Sequence, residues 1–140
     1  MKFWDSSAII PLCLKEAASE AVRRLARTDG DILVWWASRV ECLSAIARRR
    51  REGVLPIDAD RRARTALAAI SGVWSEVQPT EPVRLRAERL LTVHPLRAAG
   101  ALQLAAALPW AEDTPRGLDF VCLDQNLCEA ALKEGFTVRP

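Results

Sequence analysis

Short, nearly continuous apolar runs interrupt a chain that is otherwise patterned at helical spacing. The clearest are "KFW" (2–4), "DILVWW" (31–36) and "LDFVCLD" (118–124); "SEVQP" (75–79) and "FTVRP" (136–140) are weaker candidates. Such runs suit parallel strands, which are buried on both faces and need not alternate. Between them lie amphipathic or apolar stretches that predict helices: "DSSAIIPLCL", "EAASEAVRRLART" ended by Asp29-Gly30, "SRVECLSAIARRRREG", "PIDADRRARTALAAISGVW" opening around Asp58, "EPVRLRAERLLTV", "HPLRAAGALQLAAALPW" and "QNLCEAALKEG". Asp5, Ser6 and Ser7 are good helix N-caps. Ser38 with Glu41, and Asn126 with Glu129, have the spacing of a capping box. Pro95 suits the first position of the helix it begins.

The order strand, helices, strand, several helices, strand, helix, strand predicts an α/β sandwich with a mostly parallel sheet. The length, 140 residues, predicts one domain, 1–140. The long helical stretch between the second and third strong strands is unusual and suggests an arm or a dimer surface. One residue within it poses a question. Gly100 falls inside the most apolar helix, where glycine costs about 1 kcal/mol relative to alanine. Either another backbone packs closely there, or a side chain is missing.

Composition narrows the picture modestly. The net charge of +2 does not by itself call for a polyanionic partner. Arginine supplies nearly all the positive charge, with lysine only at Lys2, Lys15 and Lys133. Arginine is the better phosphate fork, although a G+C-rich genome yields the same bias. The run "RRRR" at 48–51 either steers a nucleic acid or forms a solvated helix end that suits the helix dipole. Cys13, Cys42, Cys122 and Cys128 lack any CxxC spacing and read as reduced core residues of a cytoplasmic protein. "MKFWD" meets an acid at position 5, too early for a secretory leader, and no apolar run reaches the ~18 residues of a membrane span.

Chemistry enters at the strand ends. In open α/β sheets, ligands bind outside the carboxyl ends of the strands. Asp5 follows "KFW", Asp124 follows "DFVCL", and Glu41 lies about a turn beyond "DILVWW". If the first and fourth strands are neighbours, these acids meet in one crevice. Crowded carboxylates repel unless a cation holds them, and Mg²⁺ or Mn²⁺ prefers oxygen ligands. Each residue also has a purely structural reading: Asp5 as an N-cap, Glu41 as Ser38's capping partner, Asp124 as a helix start, although Asn126 fills that last role better. Other chemistries are poorly supplied. The single histidine, His94, reads as a helix-boundary residue and excludes a two-histidine ribonuclease. There is no Gly-rich phosphate loop. A receiver domain would need a lysine after a late strand, and a haloacid-dehalogenase phosphatase would need D-x-D where Ser7 stands.

Taken in series, "FWDSSAIIPLCLKEAASEAVRRL", "RVECLSAIARRRREG", "HPLRAAGALQLAAAL" and "DFVCLDQNLCEAALKEGFTVRP" resemble PIN-domain proteins of the VapC toxin type over nearly the whole chain. The resemblance implies a three-layer α/β/α fold, a metal-dependent ribonuclease, a homodimer and a neutralising antitoxin partner. Asp5, Glu41 and Asp124 match three of the family's acids. The remaining acid opens a D-A-L segment that here reads Gly100-Ala101-Leu102, so the glycine occupies a metal-ligand position. Cys122 stands where threonine or serine is common.

On this resemblance the chain is expected to be an endoribonuclease toxin of a toxin–antitoxin pair, weakened or inactivated at Gly100. Asp5, Glu41 and Asp124 would hold Mg²⁺ or Mn²⁺, with Arg97, Ser6 and Asn126 against the RNA substrate. The alternative is a non-catalytic PIN module that binds antitoxin or RNA. Trp and Leu on the helices of residues 17–53 and on the long helical insert are expected to leave an apolar groove that marks an interface, with a second groove for an antitoxin segment.

Overall fold

The computed structural model describes every residue except Asp29. Five strands form one sheet: β1 (Lys2–Trp4), β2 (Ile32–Trp35), β3 (Ser75–Val77), β4 (Asp119–Val121) and β5 (Thr137–Arg139). Their order is β3-β2-β1-β4-β5 and every pairing is parallel, in registers such as Phe3 opposite Leu33 and Phe120. Seven helices accompany them among the described residues: α1 (Ser6–Cys13), α2 (Ser19–Thr28), α3 (Ser38–Arg51), α4 (Ile57–Ser71), α5 (Glu81–Val93), α6 (Ala98–Trp110) and α7 (Gln125–Glu134).

Side chains of successive strand residues point to opposite faces, which divides the core into two layers. Phe3, Leu33, Trp35 and Phe120 pack with residues of α5, α6 and α7. Trp4, Val34 and Val121 pack with α1, α2, α3 and α4 on the other side. Phe3 stacks on Phe120 with ring centroids 5.3 Å apart. Covering both faces explains why the strand sequences are continuously apolar. The result is the three-layer sandwich expected, with a sheet that is wholly parallel.

The helical stretch is not an arm. Its α5 packs on α6, and its α4 packs on α3. The weak "SEVQP" segment supplies β3, an edge strand beside β2.

Several local expectations change. α2 begins at Ser19, whose side chain donates to Leu14 O and accepts from Glu16 N. The expected stop at Asp29-Gly30 falls partly outside the described residues. The Ser38–Glu41 capping box is absent: α3 is entered through Ala37 without a side-chain cap. The Asn126–Glu129 box is absent too, because Asp124 takes the N-cap and accepts from Leu127 N at 2.8 Å. Pro95 does not open its helix. A residue before proline is held extended, as His94 is at φ −124°, ψ 150°, and α6 starts only at Ala98. Gly100 is therefore in the first turn of α6, not the interior, and the interior-glycine penalty does not apply to it.

Candidate functional site

The chain order places β1 centrally, with β2 and β3 on one side and β4 and β5 on the other. The connection therefore reverses direction at β1, and a crevice opens at the carboxyl ends where it does. A cleft of about 930 Å³ lies there. Asp5, Ser6, Glu41, Arg97, Gly100, Asp124 and Asn126, all singled out from the sequence, line it.

Asp5 directly follows β1, and its backbone N–H bonds Val121 O at the end of β4. Its carboxylate caps α1: Oδ2 accepts from the backbone N–H and the hydroxyl of Ser7. The residue is only 5% exposed. Burial, with smaller help from the charges of Glu41 and Asp124, raises its pKa to about 6 against the lowering effect of the Ser7 bonds.

Glu41 sits on the first turn of α3, on the face that also carries Ser44, Ala45 and Arg48. It is held from two directions: Ser6 Oγ donates to Oε2 at 2.6 Å, and Gln103 Nε2 donates to the same oxygen at 3.1 Å. This is why no capping box forms. The carboxylate has turned into the cleft, and Ser38 Oγ accepts from Gln103 Nε2 instead, at 3.1 Å. Asp124 is exposed at the rim, with Oδ1 engaged in its capping bond. No ion pair among the described residues engages any of the three acids.

Gly100 has room beside it. A Cβ there would meet Leu96 Cδ2 at 3.7 Å and Leu127 Cδ1 at 4.0 Å, ordinary contacts with flexible side chains. No neighbouring backbone crowds the position, so the close-packing explanation of this glycine fails.

Gln103, one turn further along α6, is the site residue that sequence reasoning missed. It is 1% exposed, and its Nε2 lies 2.7 Å from Ser6 Oγ as well as near Ser38 and Glu41, tying α1, α3 and α6 together. Its Oε1 is buried without a partner among the described residues. A lone amide in "ALQLAAAL" was the available signal. Cys122 and Cys128 are unpaired thiols, as are Cys13 and Cys42. Cys122 Sγ lies 3.7 Å from both Asp5 Oδ2 and Ser7 Oγ, and burial pushes its thiol pKa far up. The bond that Asp5 needs comes from Ser7, so threonine or serine at 122 is dispensable for holding Asp5.

The donor set is made of hard oxygens that no arginine or lysine ion-pairs among the described residues, which suits a divalent cation. The spacing suits it less well. Among the described residues, no three His, Cys, Asp or Glu side chains converge closely enough to hold an ion directly. The three carboxylates share one cleft. An ion that keeps several of its waters, as Mg²⁺ does, is compatible with Asp5 and one acidic neighbour.

The architecture is a PIN-like α/β fold. It is similar over its full length to VapC20 of Mycobacterium tuberculosis, a sarcin–ricin loop cleaving toxin (TM-score 0.70, 21% identity, 100% of both chains). It is also similar to a chain of FitAcB from Neisseria gonorrhoeae (TM-score 0.67, 14% identity, 100% of this chain and 97% of that one). No family model and no curated protein sequence matches the chain. No helix among the described residues is long and apolar enough to cross a membrane.

Proposed function

We propose that the chain is a metal-dependent endoribonuclease of the toxin type whose site is weakened at position 100. The observation that carries this reading is the cleft itself. Asp5, Glu41 and Asp124 line it at the carboxyl ends of a parallel sheet, without a basic partner, and Asp5 is buried at a cost in pKa. A fold that gathers unpaired acids there at the expense of its own stability needs a function for them. The similarity in fold to VapC20, a sarcin–ricin loop cleaving toxin, supports RNA as the substrate class.

Hydrolysis of an RNA phosphodiester requires a water to lose a proton and the departing oxygen to gain one. A bound Mg²⁺ or Mn²⁺ would activate that water and stabilise the phosphoryl charge. Asp5, fixed through Oδ2 by Ser7, would be its main protein ligand. Glu41, held through Oε2 by Ser6 and Gln103, leaves Oε1 without a hydrogen-bond partner among the described residues. Asp124 at the rim adds negative charge, and Asn126 and Arg97 line the walls that RNA would touch.

Partners follow from the same resemblance. A second groove of about 600 Å³ runs between α1, α2, α3 and α4, lined by Leu12, Leu14 and Leu55 with Arg23 and Arg62. Its apolar floor and basic sides fit an antitoxin segment of alternating apolar and acidic residues. Leu85, Leu91 and Val93 of α5 are exposed and support a homodimer.

The second reading, a non-catalytic module that binds antitoxin or RNA, is favoured by Gly100 and by the missing three-ligand convergence. RNA cleavage followed on gels with Mg²⁺ and Mn²⁺ separates the two. The expected result is slow cleavage by the native chain, none by Asp5→Ala, and cleavage at least ten times faster by Gly100→Asp. If neither the native chain nor Gly100→Asp cleaves RNA with either ion, the second reading replaces the first.

A further inference from the structure

The four arginines of α3 look equivalent in sequence, and the structure separates them. Arg49 is ion-paired with Glu16 at 2.5 Å. Arg50 donates to Leu55 O at 3.4 Å. Arg51 ends the helix, away from the acidic cleft. Only Arg48 lines that cleft, two turns along the same helix face from Glu41. On a different wall, at the N-cap of α6, stands Arg97, which lines the same cleft. Both are exposed, and among the described residues neither side chain has a hydrogen-bond or ion-pair partner, although three carboxylates share their cleft.

An unpaired arginine beside unpaired acids is unusual, because a guanidinium readily forks onto a carboxylate. Here the acids are turned inward by their own bonds, Asp5 to Ser7 and Glu41 to Ser6 and Gln103. The arginines stand apart on two walls. We propose that Arg48 and Arg97 form a two-point clamp for backbone phosphates of single-stranded RNA, flanking the acids and laying the strand across them. Gly100 strengthens the arrangement, since it leaves the first turn of α6, next to Arg97, without an acid that would repel a phosphate. This rests on the ribonuclease reading for its choice of RNA, but it concerns binding and is tested without cleavage.

The measurement is fluorescence anisotropy of a labelled single-stranded RNA in EDTA, over a series of salt concentrations. Each phosphate contact contributes about 0.7 to the slope of log K against log salt for a single strand. Arg48→Ala and Arg97→Ala should each weaken binding several-fold and lower the slope by about 0.7. The double variant should lose about twice that slope, and Arg48→Lys should retain it. Arg51→Ala is the control, with the same charge change outside the cleft, and should leave the slope nearly unchanged. All three positions, 48, 51 and 97, are exposed surface, so the variants should melt like the native protein. Equal effects at positions 48 and 51 would overturn the clamp in favour of diffuse attraction, as would native protein that does not bind RNA. Loss of cleavage with the clamp effects intact would overturn the nuclease reading instead.

Discussion

At the scale of single residues, Gly100 and Asp5 make opposite compromises. A carboxylate at position 100 would fit, since its Cβ meets nothing closer than 3.7 Å. In the first turn of α6 it would also gain about 0.3–1 kcal/mol from the helix dipole, offset without metal by repulsion from Asp5, Glu41 and Asp124. Gly100→Asp should therefore change the metal-free melting temperature little. It should show a clearly larger rise with Mn²⁺ than the native chain, because an ion that binds only the folded state stabilises it. A variant that is strongly destabilised with and without Mn²⁺ would contradict this. Asp5 is the reverse case, a charge held where burial disfavours it. Its pKa rises from 3.8 to about 6 on folding. Such a group helps the fold fully below its unfolded value, and that help is lost as pH rises through about 6. Asp5→Asn keeps an acceptor for Ser7 but has no charge to desolvate. In EDTA at pH 7.5 it should be more stable than the native chain by about 3 kcal/mol, with the difference vanishing near pH 4. Denaturant melts at the two pH values test this, and a destabilised Asp5→Asn at pH 7.5 would refute it.

At the scale of elements, α5, α6 and α7 form one layer clasped at its edge. His94 caps the end of α5 through Leu90 O and pairs with Glu134 at the end of α7, Nε2 to Oε1 at 2.6 Å. Arg89 reaches Glu134 Oε2 from the same helix at 2.7 Å. Burial alone would raise the Glu134 pKa, but the bonds from Arg89 and His94 outweigh it and hold the carboxyl below its usual range. Its contribution is therefore full above the unfolded value of 4.5 and is lost as pH falls through the lower folded value. Glu134→Gln should cost about 1–2 kcal/mol at neutral pH, the scale of losing hydrogen bonds between charged groups. It should also flatten the acid limb of the stability curve below about pH 4.5. An acid limb identical to that of the native chain would exclude this origin. Reading His94 only as a helix boundary identified its backbone role and missed the clasp, because its partner lies 40 residues away.

At the scale of the whole molecule, two surfaces present apolar side chains to solvent. The groove between α1, α2, α3 and α4 and the exposed Leu85, Leu91 and Val93 on α5 are separate surfaces. Contiguous exposed apolar patches mark interaction sites, and a dimer formed through α5 would bury these side chains. Light scattering across a wide concentration range should give the mass of a dimer, and Leu91→Asp with Val93→Asp should shift it toward the monomer. A native chain that is monomeric throughout would remove this interface. The sequence alone was enough for the architecture. Continuous apolar strands separated by helices admit few solutions other than a parallel sheet with both faces covered, and Asp5, Glu41 and Asp124 could be placed near its carboxyl ends by counting from strands. Those features are local: they depend on period, run length and position relative to an element's end. Tertiary structure alone decided what each polar group does. Ser38 and Glu41 have capping-box spacing, yet Gln103 and Ser6, distant in sequence, draw them elsewhere. Asn126 has the spacing of a cap, yet Asp124 takes it. Four adjacent arginines divide into one facing the acids and three that do not. A hydrogen bond or ion pair forms with whatever the fold brings within about 3 Å, and which groups those are is settled by the packing of helices against the sheet rather than by neighbours along the chain.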